Sequence, residues 1–271
     1  MKVLFLGDIV GRAGRAVVTG NVPRLRKQLS LDFVIANGEN AAHGFGINRK
    51  ICDELFDAGI DVITGGNHSW DQIEAAAFID EEPRLLRPEN FQGDHPGRGH
   101  GVFTTASGLR VLIVNVLCRL FMDLYDNPFP VLDRLVADAN PSDAGFDAVI
   151  VDVHGEASSE KAIIGHVLDG RASLVVGTHT HVPTADARIL AGGTGFQTDA
   201  GMCGDYDSVI GMDKAAAVGR MLGEIPRPRL SPADGEATLC GVVVETEPKT
   251  GLAKSILPIR IGGALSTAWP S

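Results

Sequence analysis

The chain has 271 residues, of which 44% are hydrophobic, and its 24 basic and 34 acidic side chains give a formal net charge of −10. This length and apolar content suit one large α/β domain over residues 1–271, and the acidic balance argues against broad electrostatic binding to nucleic acid or anionic lipid. The apolar runs are too short for a membrane span or a signal peptide, and the four cysteines form no Cys-x-x-Cys pair, so we expect a cytoplasmic protein with reduced thiols.

Five short apolar runs, each typical of a strand, end in small and polar residues. The runs cover residues 2–6, 33–36, 61–64, 148–153 and 174–176, and they lead into Gly7-Asp8, Asn37-Gly38-Glu39-Asn40, Gly65-Gly66-Asn67-His68, His154-Gly155-Glu156 and Gly177-Thr178-His179-Thr180-His181. Open α/β sheets bind their ligands at the carboxyl ends of strands. In the last motif, the pleat of a strand would direct His179 and His181 to one side. Since imidazole is a common metal ligand, the repeated pattern predicts a metal site.

Segments with helical spacing lie between these runs. They cover residues 14–29, 48–58, 72–80, 130–139 and 159–168. The alternation favours a layered α/β architecture with much parallel sheet. Residues 238–245 and 255–261 are typical of a hairpin, so the sheet is not expected to be purely parallel. Residues 83–101 and 224–235 are rich in Pro, Gly and charge, and we expect them to be loops.

Each polar residue at a strand end also has a simpler explanation. Asp8 is a possible helix cap, Glu39, Asn40 and Asn67 are possible turn residues, and His154 is a possible hydrogen-bonded histidine at a strand edge. We favour the functional interpretation because the pattern recurs at five strand ends. The remaining histidines lack this placement, and we expect three of them to be structural or solvent-facing: His95, His100 and His166.

In combination, the motifs resemble those of the calcineurin-like metallophosphoesterases, and more closely the bacterial YmdB-type subfamily. The matching motifs span almost the whole chain: Gly7-Asp8-Ile9-Val10-Gly11, Asn37-Gly38-Glu39-Asn40-Ala41-Ala42, Gly66-Asn67-His68, His154-x-Glu156-x-x-Ser159-Glu160-Lys161, Gly177-Thr178-His179-Thr180-His181 and Thr198-Asp199-x-Gly201-Met202. Two positions depart from the wider superfamily, which usually has histidine at Val10 and a bridging aspartate at Glu39. The resemblance implies a calcineurin-like layered α/β/β/α sandwich with mixed sheets.

The resemblance also implies two metal ions bridged by Glu39. One ion would be held by Asp8, Asn40 and His181, and the other by Asn67, His154 and His179. Two cations about 4 Å apart can grip a phosphate and hold a bridging hydroxide behind the phosphorus atom. Carboxylate, amide and imidazole ligands without thiolate suit iron, our expected metal, with manganese or zinc as alternatives.

His68 adds no metal ligand in this scheme, and we expect it to protonate the leaving oxygen as a general acid. Asp152 and Glu156 are expected partners of the ligand histidines. The sequence is thus interpreted as a dinuclear metal phosphodiesterase that hydrolyses a small phosphodiester substrate, with 2′,3′-cyclic nucleotides implied by the subfamily. The alternatives are a metal-bound regulatory or interaction protein with incidental catalysis, and a nuclease or protein phosphatase on the same scaffold. A homo-oligomer is left open.

Overall fold

A computed structural model describes residues 1–270 of the chain. The strands are β1 (Lys2–Leu6), β2 (Asp8–Ile9), β3 (Phe33–Asn37), β4 (Val62–Thr64), β5 (His100–Thr104), β6 (Arg110–Leu117), β7 (Ala148–His154), β8 (Leu174–Thr178), β9 (Arg188–Ile189), β10 (Gly195–Gln197), β11 (Met202–Asp205), β12 (Ala237–Thr246) and β13 (Ala253–Ile261). The helices are α1 (Gly11–Leu29), α2 (Arg49–Asp57), α3 (Ala75–Phe78), α4 (Pro128–Leu135), α5 (Ser158–Val167) and α6 (Lys214–Met221). None of these helices is long and apolar enough to cross a membrane.

The strands form two sheets that both mix parallel and antiparallel pairs. The first sheet has the order β2-β11-β12-β1-β3-β4, and β13 also pairs with β12. Its β1, β3 and β4 are parallel, whereas β12 runs antiparallel to β1. The second sheet has the order β5-β6-β7-β8-β10-β9, with β6, β7, β8 and β10 parallel. The carboxyl ends of the parallel strands in each sheet therefore lie at one edge.

Three apolar clusters show how the layers stack. The first contains Leu25 of α1 and Leu4 of β1, and the second contains Phe5 of β1 and Ile113 of β6. Leu4 and Phe5 are neighbours in a strand, so their side chains point to opposite faces of the first sheet. The third cluster joins the outer face of the second sheet to Ile164 of α5. The layers are helix, sheet, sheet and helix, which confirms the expected α/β/β/α sandwich with mixed sheets.

Several elements differ from the expected ones. The helix expected at residues 72–80 is only the single turn α3, because residues 67–74 form turns beyond β4 and Ile73 is exposed. The segment 83–101, expected to be a loop, ends in the start of β5, and Leu85 and Leu86 are buried beside β4. No sequence pattern predicted β2, β5, β6, β9, β10, β11 or α6. That residues 1–271 form one domain stays a prediction.

Candidate metal centre

The predicted site residues lie where the carboxyl edges of the two sheets meet. The first sheet contributes residues in or just after β2, β3 and β4, and the second contributes residues at the ends of β7 and β8. Side-chain contacts join them into one cluster: Asp8, Glu39, Asn40, Asn67, His154, His179 and His181. His68 contacts the same cluster through its backbone. The structure thus brings the predicted residues together, and metal binding by them stays a prediction.

Glu39 lies at the centre of the cluster and is almost fully buried. Its Oε1 lies 3.2 Å from His154 Nε2 and accepts a hydrogen bond from Asn40 Nδ2 at 3.0 Å. Its Oε2 accepts one from the backbone N–H of His68 at 3.0 Å. Burial acts to raise the pKa of Glu39, but the charge and hydrogen bond of His154 and the backbone hydrogen bond of His68 outweigh it and lower the pKa to about 2. Glu39 is therefore a buried carboxylate that remains charged.

Asn67, His154 and His179 lie together on one side of the cluster, where His154 contacts Glu39. His154 Nε2 lies 2.9 Å from Asn67 Oδ1 and 3.1 Å from His179 Nδ1. One ligand atom from each of Glu39, His154 and His179 lies within 4.8 Å of the others, which is close enough for a shared metal ion. This group matches the second of the two ligand sets that the sequence predicts.

Asp8, Asn40 and His181 form the other group. Asn40 Nδ2 lies 3.2 Å from His181 Nε2, and Asp8 Oδ1 lies 3.9 Å from the same nitrogen. Asp8 belongs to β2 and does not cap α1, whose N-cap residue is Val10. Burial raises the pKa of Asp8 above its usual range. Its Oδ2 accepts from the backbone N–H of His179, whereas its buried Oδ1 has no hydrogen-bond partner within residues 1–270.

The tautomer of His154 follows from the side chains behind it. Thr178 has one hydroxyl proton, which it donates to Asp152 Oδ1 at 2.7 Å. The hydroxyl oxygen of Thr178 lies 2.9 Å from His154 Nδ1, so it accepts the Nδ1–H of the imidazole. Because Thr64 and Asn37 also donate to Asp152, that carboxylate is fixed in place. Nε2 of His154 therefore faces Glu39 and is the nitrogen that would bind a metal. Burial opposes a charge on His154, but Glu39 and Asp8 outweigh it and raise its pKa to about 9, so a metal would displace the proton that Nε2 otherwise carries.

The other two ligand histidines are oriented in the same way. His181 Nδ1 donates to the backbone carbonyl of Ile210 at 2.7 Å, which leaves Nε2 directed towards Asp8 and Asn40. His179 Nε2 lies 3.4 Å from Glu156 Oε2, which leaves Nδ1 directed towards His154. Burial, as the main cause, and the charge of His154, as the second, lower the pKa of His179 to about 3, so this imidazole is neutral.

The backbone that carries His179 and His181 is not an extended strand. β8 ends at Thr178, and the two histidines have positive φ angles of 98° and 65°. The expectation that a strand pleat directs both side chains to one side is therefore wrong, because left-handed residues turn the chain instead. A buried ion pair supports this turn: Lys161 Nζ donates to the Thr178 carbonyl at 2.7 Å and to Asp199 Oδ2 at 2.9 Å.

The donor set and its surroundings fit a cation. Oxygen and imidazole ligands without sulfur suit iron, manganese or zinc. The unpartnered Oδ1 of Asp8 is a buried acceptor that a metal ion would satisfy. Gly66 keeps the space open, since a Cβ at this position would lie 2.0 Å from Glu39 Oε2 and 2.5 Å from His154 Nε2. Glu39, His154 and His179 thus fit a metal ion. At the other group the amide nitrogen of Asn40 faces His181, and the second ion stays a prediction.

His68 lines a cleft that opens beside the metal ligands. Its Nδ1 donates to Asp71 Oδ2 at 2.8 Å, and its side chain is 29% exposed. The cleft has a volume of about 310 Å³. Apolar side chains complete its wall: Phe45, Ile210, Met212 and Leu230. These residues had no sequence signal, because they come from loops without a recurring motif. Thr178, behind His154, belongs to the motif that ends in His181, but the motif does not indicate its contact with His154.

The fold is the calcineurin-like phosphoesterase fold. A solved structure of a Mycoplasma pneumoniae protein, described as a novel phosphatase, aligns with a TM-score of 0.86 and 35% identity over 97% of this chain and 93% of its own. A hypothetical protein of Thermus thermophilus aligns with a TM-score of 0.88 and 41% identity over 97% of this chain and 100% of its own.

Within this class, the chain belongs to the YmdB-like protein family, whose model matches residues 4–259. A Bacillus subtilis relative named 2′,3′-cyclic-nucleotide 2′-phosphodiesterase is 44% identical over 261 residues, which cover 96% of this chain and 97% of the relative. The predicted family is thereby confirmed, and the chain is a phosphoric diester hydrolase.

Proposed function

We propose that this chain hydrolyses nucleoside 2′,3′-cyclic phosphates with the help of two transition-metal ions, iron being the expected metal. The substrate class rests on the 44% identical relative named for this activity. The observation that carries the metal-dependent mechanism is the convergence of polar residues from five strand ends into one cluster around Glu39. A cytoplasmic location belongs to the same proposal and is supported by four free, buried cysteines.

Each part of the cluster has a chemical task. Asp8, Asn40 and His181 would hold one metal ion, and Asn67, His154 and His179 the other, with Glu39 between them. When bound, such ions polarise the phosphoryl group and lower the pKa of an attacking water. The protein fixes the ligand positions through the outer nitrogens of the histidines, which are hydrogen-bonded or paired to Thr178, Ile210 and Glu156.

His68 would supply the proton for the leaving group. In hydrolysis, the oxygen of water bonds to phosphorus, the bond from phosphorus to the 2′-oxygen breaks, and that oxygen requires a proton. Because Asp71 accepts the Nδ1–H of His68, the imidazolium form carries its second proton on Nε2. Donation from Nε2 yields the free 2′-hydroxyl and a nucleoside 3′-phosphate, while the proton lost by the attacking water passes to solvent. The partly exposed imidazole then regains a proton from water.

The variant His68→Ala tests this role directly. It should keep its metal, while kcat for a 2′,3′-cyclic nucleotide falls by roughly 10²–10⁴-fold. The loss should be smaller for a nitrophenyl phosphodiester, because nitrophenolate leaves without protonation. His166→Ala is the matched control, since His166 is exposed on α5 and should leave both activities unchanged.

Other outcomes would contradict parts of the proposal. A His68→Ala protein that loses metal would make His68 a ligand, and equal losses on both esters would exclude proton donation. Metal analysis of the purified wild type should give about two ions per subunit. A ratio that never exceeds one under saturating iron or manganese would contradict the dinuclear site. Activity on phosphomonoesters or nucleic acid, without activity on cyclic nucleotides, would favour a phosphatase or a nuclease.

A further inference from the structure

A second cleft adjoins the candidate metal centre and shares a wall with it. This second cleft has a volume of about 660 Å³, against about 310 Å³ beside the metal ligands. Phe45 and Leu230 line both clefts, and Asp71, which holds His68 in the smaller one, lines the larger. A substrate bound at the metal centre can therefore extend into the larger cleft.

The larger cleft carries two arginines without acidic partners. Arg220 and Arg229 both line it, and neither forms an ion pair with any of residues 1–270. Arg220 Nε donates to the Pro228 carbonyl at 2.7 Å, which orients the guanidinium and leaves its two terminal nitrogens available. The one carboxylate lining this cleft, Asp71, already accepts from His68.

The two guanidiniums place positive charge in this cleft although the chain has a formal charge of −10. A guanidinium presents parallel N–H donors that match two oxygens of a phosphate group. The larger cleft, defined by Arg220 and Arg229, is therefore suited to a phosphate that belongs to the same substrate as the phosphate at the metal centre.

We propose that this arginine cleft binds the phosphate on the 5′ side of a nucleotide whose 2′,3′-cyclic phosphate lies at the metal centre. The inference rests on the proposed function and adds to it a preference for nucleotides that carry a second phosphate. That phosphate is either a terminal 5′-phosphate or the diester that links a preceding nucleotide. The volume of the larger cleft leaves room for a second nucleoside.

Steady-state kinetics on three substrates tests the arginine cleft. They are a nucleoside 2′,3′-cyclic phosphate, its 5′-phosphorylated form, and a dinucleotide that ends in the same cyclic phosphate. The wild type should prefer the phosphate-bearing substrates in kcat/KM by about 10- to 100-fold, because each charge-assisted contact contributes to their binding. A preference for only one of the two identifies the terminal phosphate or the linking diester as the ligand.

Two variants and a control assign this preference to the arginines. Arg229→Gln and Arg220→Lys should raise KM for the phosphate-bearing substrates by about tenfold or more and leave the plain cyclic nucleotide unaffected. Arg220→Lys keeps the charge but removes the fork of N–H donors. Arg227→Gln removes an exposed arginine of the same segment that does not line the cleft, and it should change nothing.

The outcomes separate this inference from the proposed function. Equal kcat/KM for the three substrates, or a preference that survives both variants, would overturn the arginine cleft while leaving cyclic nucleotide hydrolysis intact. If none of the substrates is cleaved, the proposed function fails. The dissociation constants of a nucleoside 3′,5′-bisphosphate and of the 3′-monophosphate then test phosphate binding by the arginine cleft without turnover. Tighter binding of the bisphosphate that both variants abolish supports the inference, and equal binding of the two ligands refutes it.

Discussion

The buried ion pair between Lys161 and Asp199 should stabilise both the fold and the turn that carries two ligand histidines. Both side chains are at most 1% exposed, and they join α5 to the segment after β10. The variant Lys161→Met keeps the apolar stem of the side chain but removes the ammonium group. It leaves the carboxylate of Asp199 and the carbonyl of Thr178 without their shared donor.

The expected loss follows from these contacts. Removing one partner of a buried ion pair costs about 3–5 kcal/mol. Asp199 keeps the backbone N–H groups of Thr180 and Gly201 as donors, so we expect the loss at its carboxylate to lie at the lower end of this range. The abandoned Thr178 carbonyl adds about 1 kcal/mol or more. We therefore expect a loss of about 4 kcal/mol, and a fall in Tm of roughly 10 °C for a chain of this size.

Urea denaturation measures this loss directly, with Lys254→Met as the control. Lys254 forms an exposed ion pair with Glu245 at 3.1 Å, and its removal should leave the urea midpoint unchanged. Adding Asp199→Asn to Lys161→Met should recover part of the stability, because the unpaired charge is then absent. Metal content should fall in Lys161→Met as well, since the turn at residues 178–181 loses its support. A Lys161→Met protein within about 1 kcal/mol of the wild type would refute this reasoning.

Three further predictions concern the ligand Glu39 and two residues that contact the ligands. Glu39→Gln should bind less metal and lose most phosphodiesterase activity, because a neutral amide compensates cation repulsion poorly; normal metal content with full activity would remove Glu39 from the bridging role. Gly66→Ala should lose metal through the clash of its Cβ with Glu39, whereas Gly20→Ala, which has open space around it, should bind metal normally in the same elemental analysis. Thr178→Val removes the acceptor of the Nδ1–H of His154 and should weaken metal affinity by about 10- to 100-fold in a chelator titration, without a comparable loss of folding.

The polar strand ends were predictable because their chemistry is local. A strand that runs into Gly38-Glu39-Asn40 or Gly66-Asn67-His68 shows both the turn and the ligand in consecutive residues. The layered fold was predictable for a related reason, since strands alternate with amphipathic helices. By contrast, β6 is a long apolar run that ends in no ligand, so the pattern of polar strand ends does not predict it.

The conformation of the last motif was not predictable, because distant residues determine it. His179 and His181 adopt left-handed backbone angles that their own sequence does not demand. Asp199 accepts from the Thr180 backbone, and the carbonyl of Ile210 accepts from His181. These contacts span 19 and 29 residues, and a pattern within five residues contains no trace of them.

The hydrogen bonding around the cluster favours a cation over a merely structural polar core. In a structural core, buried donors and acceptors pair with one another until few remain unsatisfied. Here the outer nitrogens of His154 and His181 donate to Thr178 and to a backbone carbonyl, which leaves their inner nitrogens facing Glu39 and Asp8. Asp8 Oδ1 has no hydrogen-bond partner within residues 1–270. Because a cation would satisfy this oxygen and replace the proton on His154, removal of metal from the purified protein should destabilise the strand ends of the cluster more than the sheets behind them.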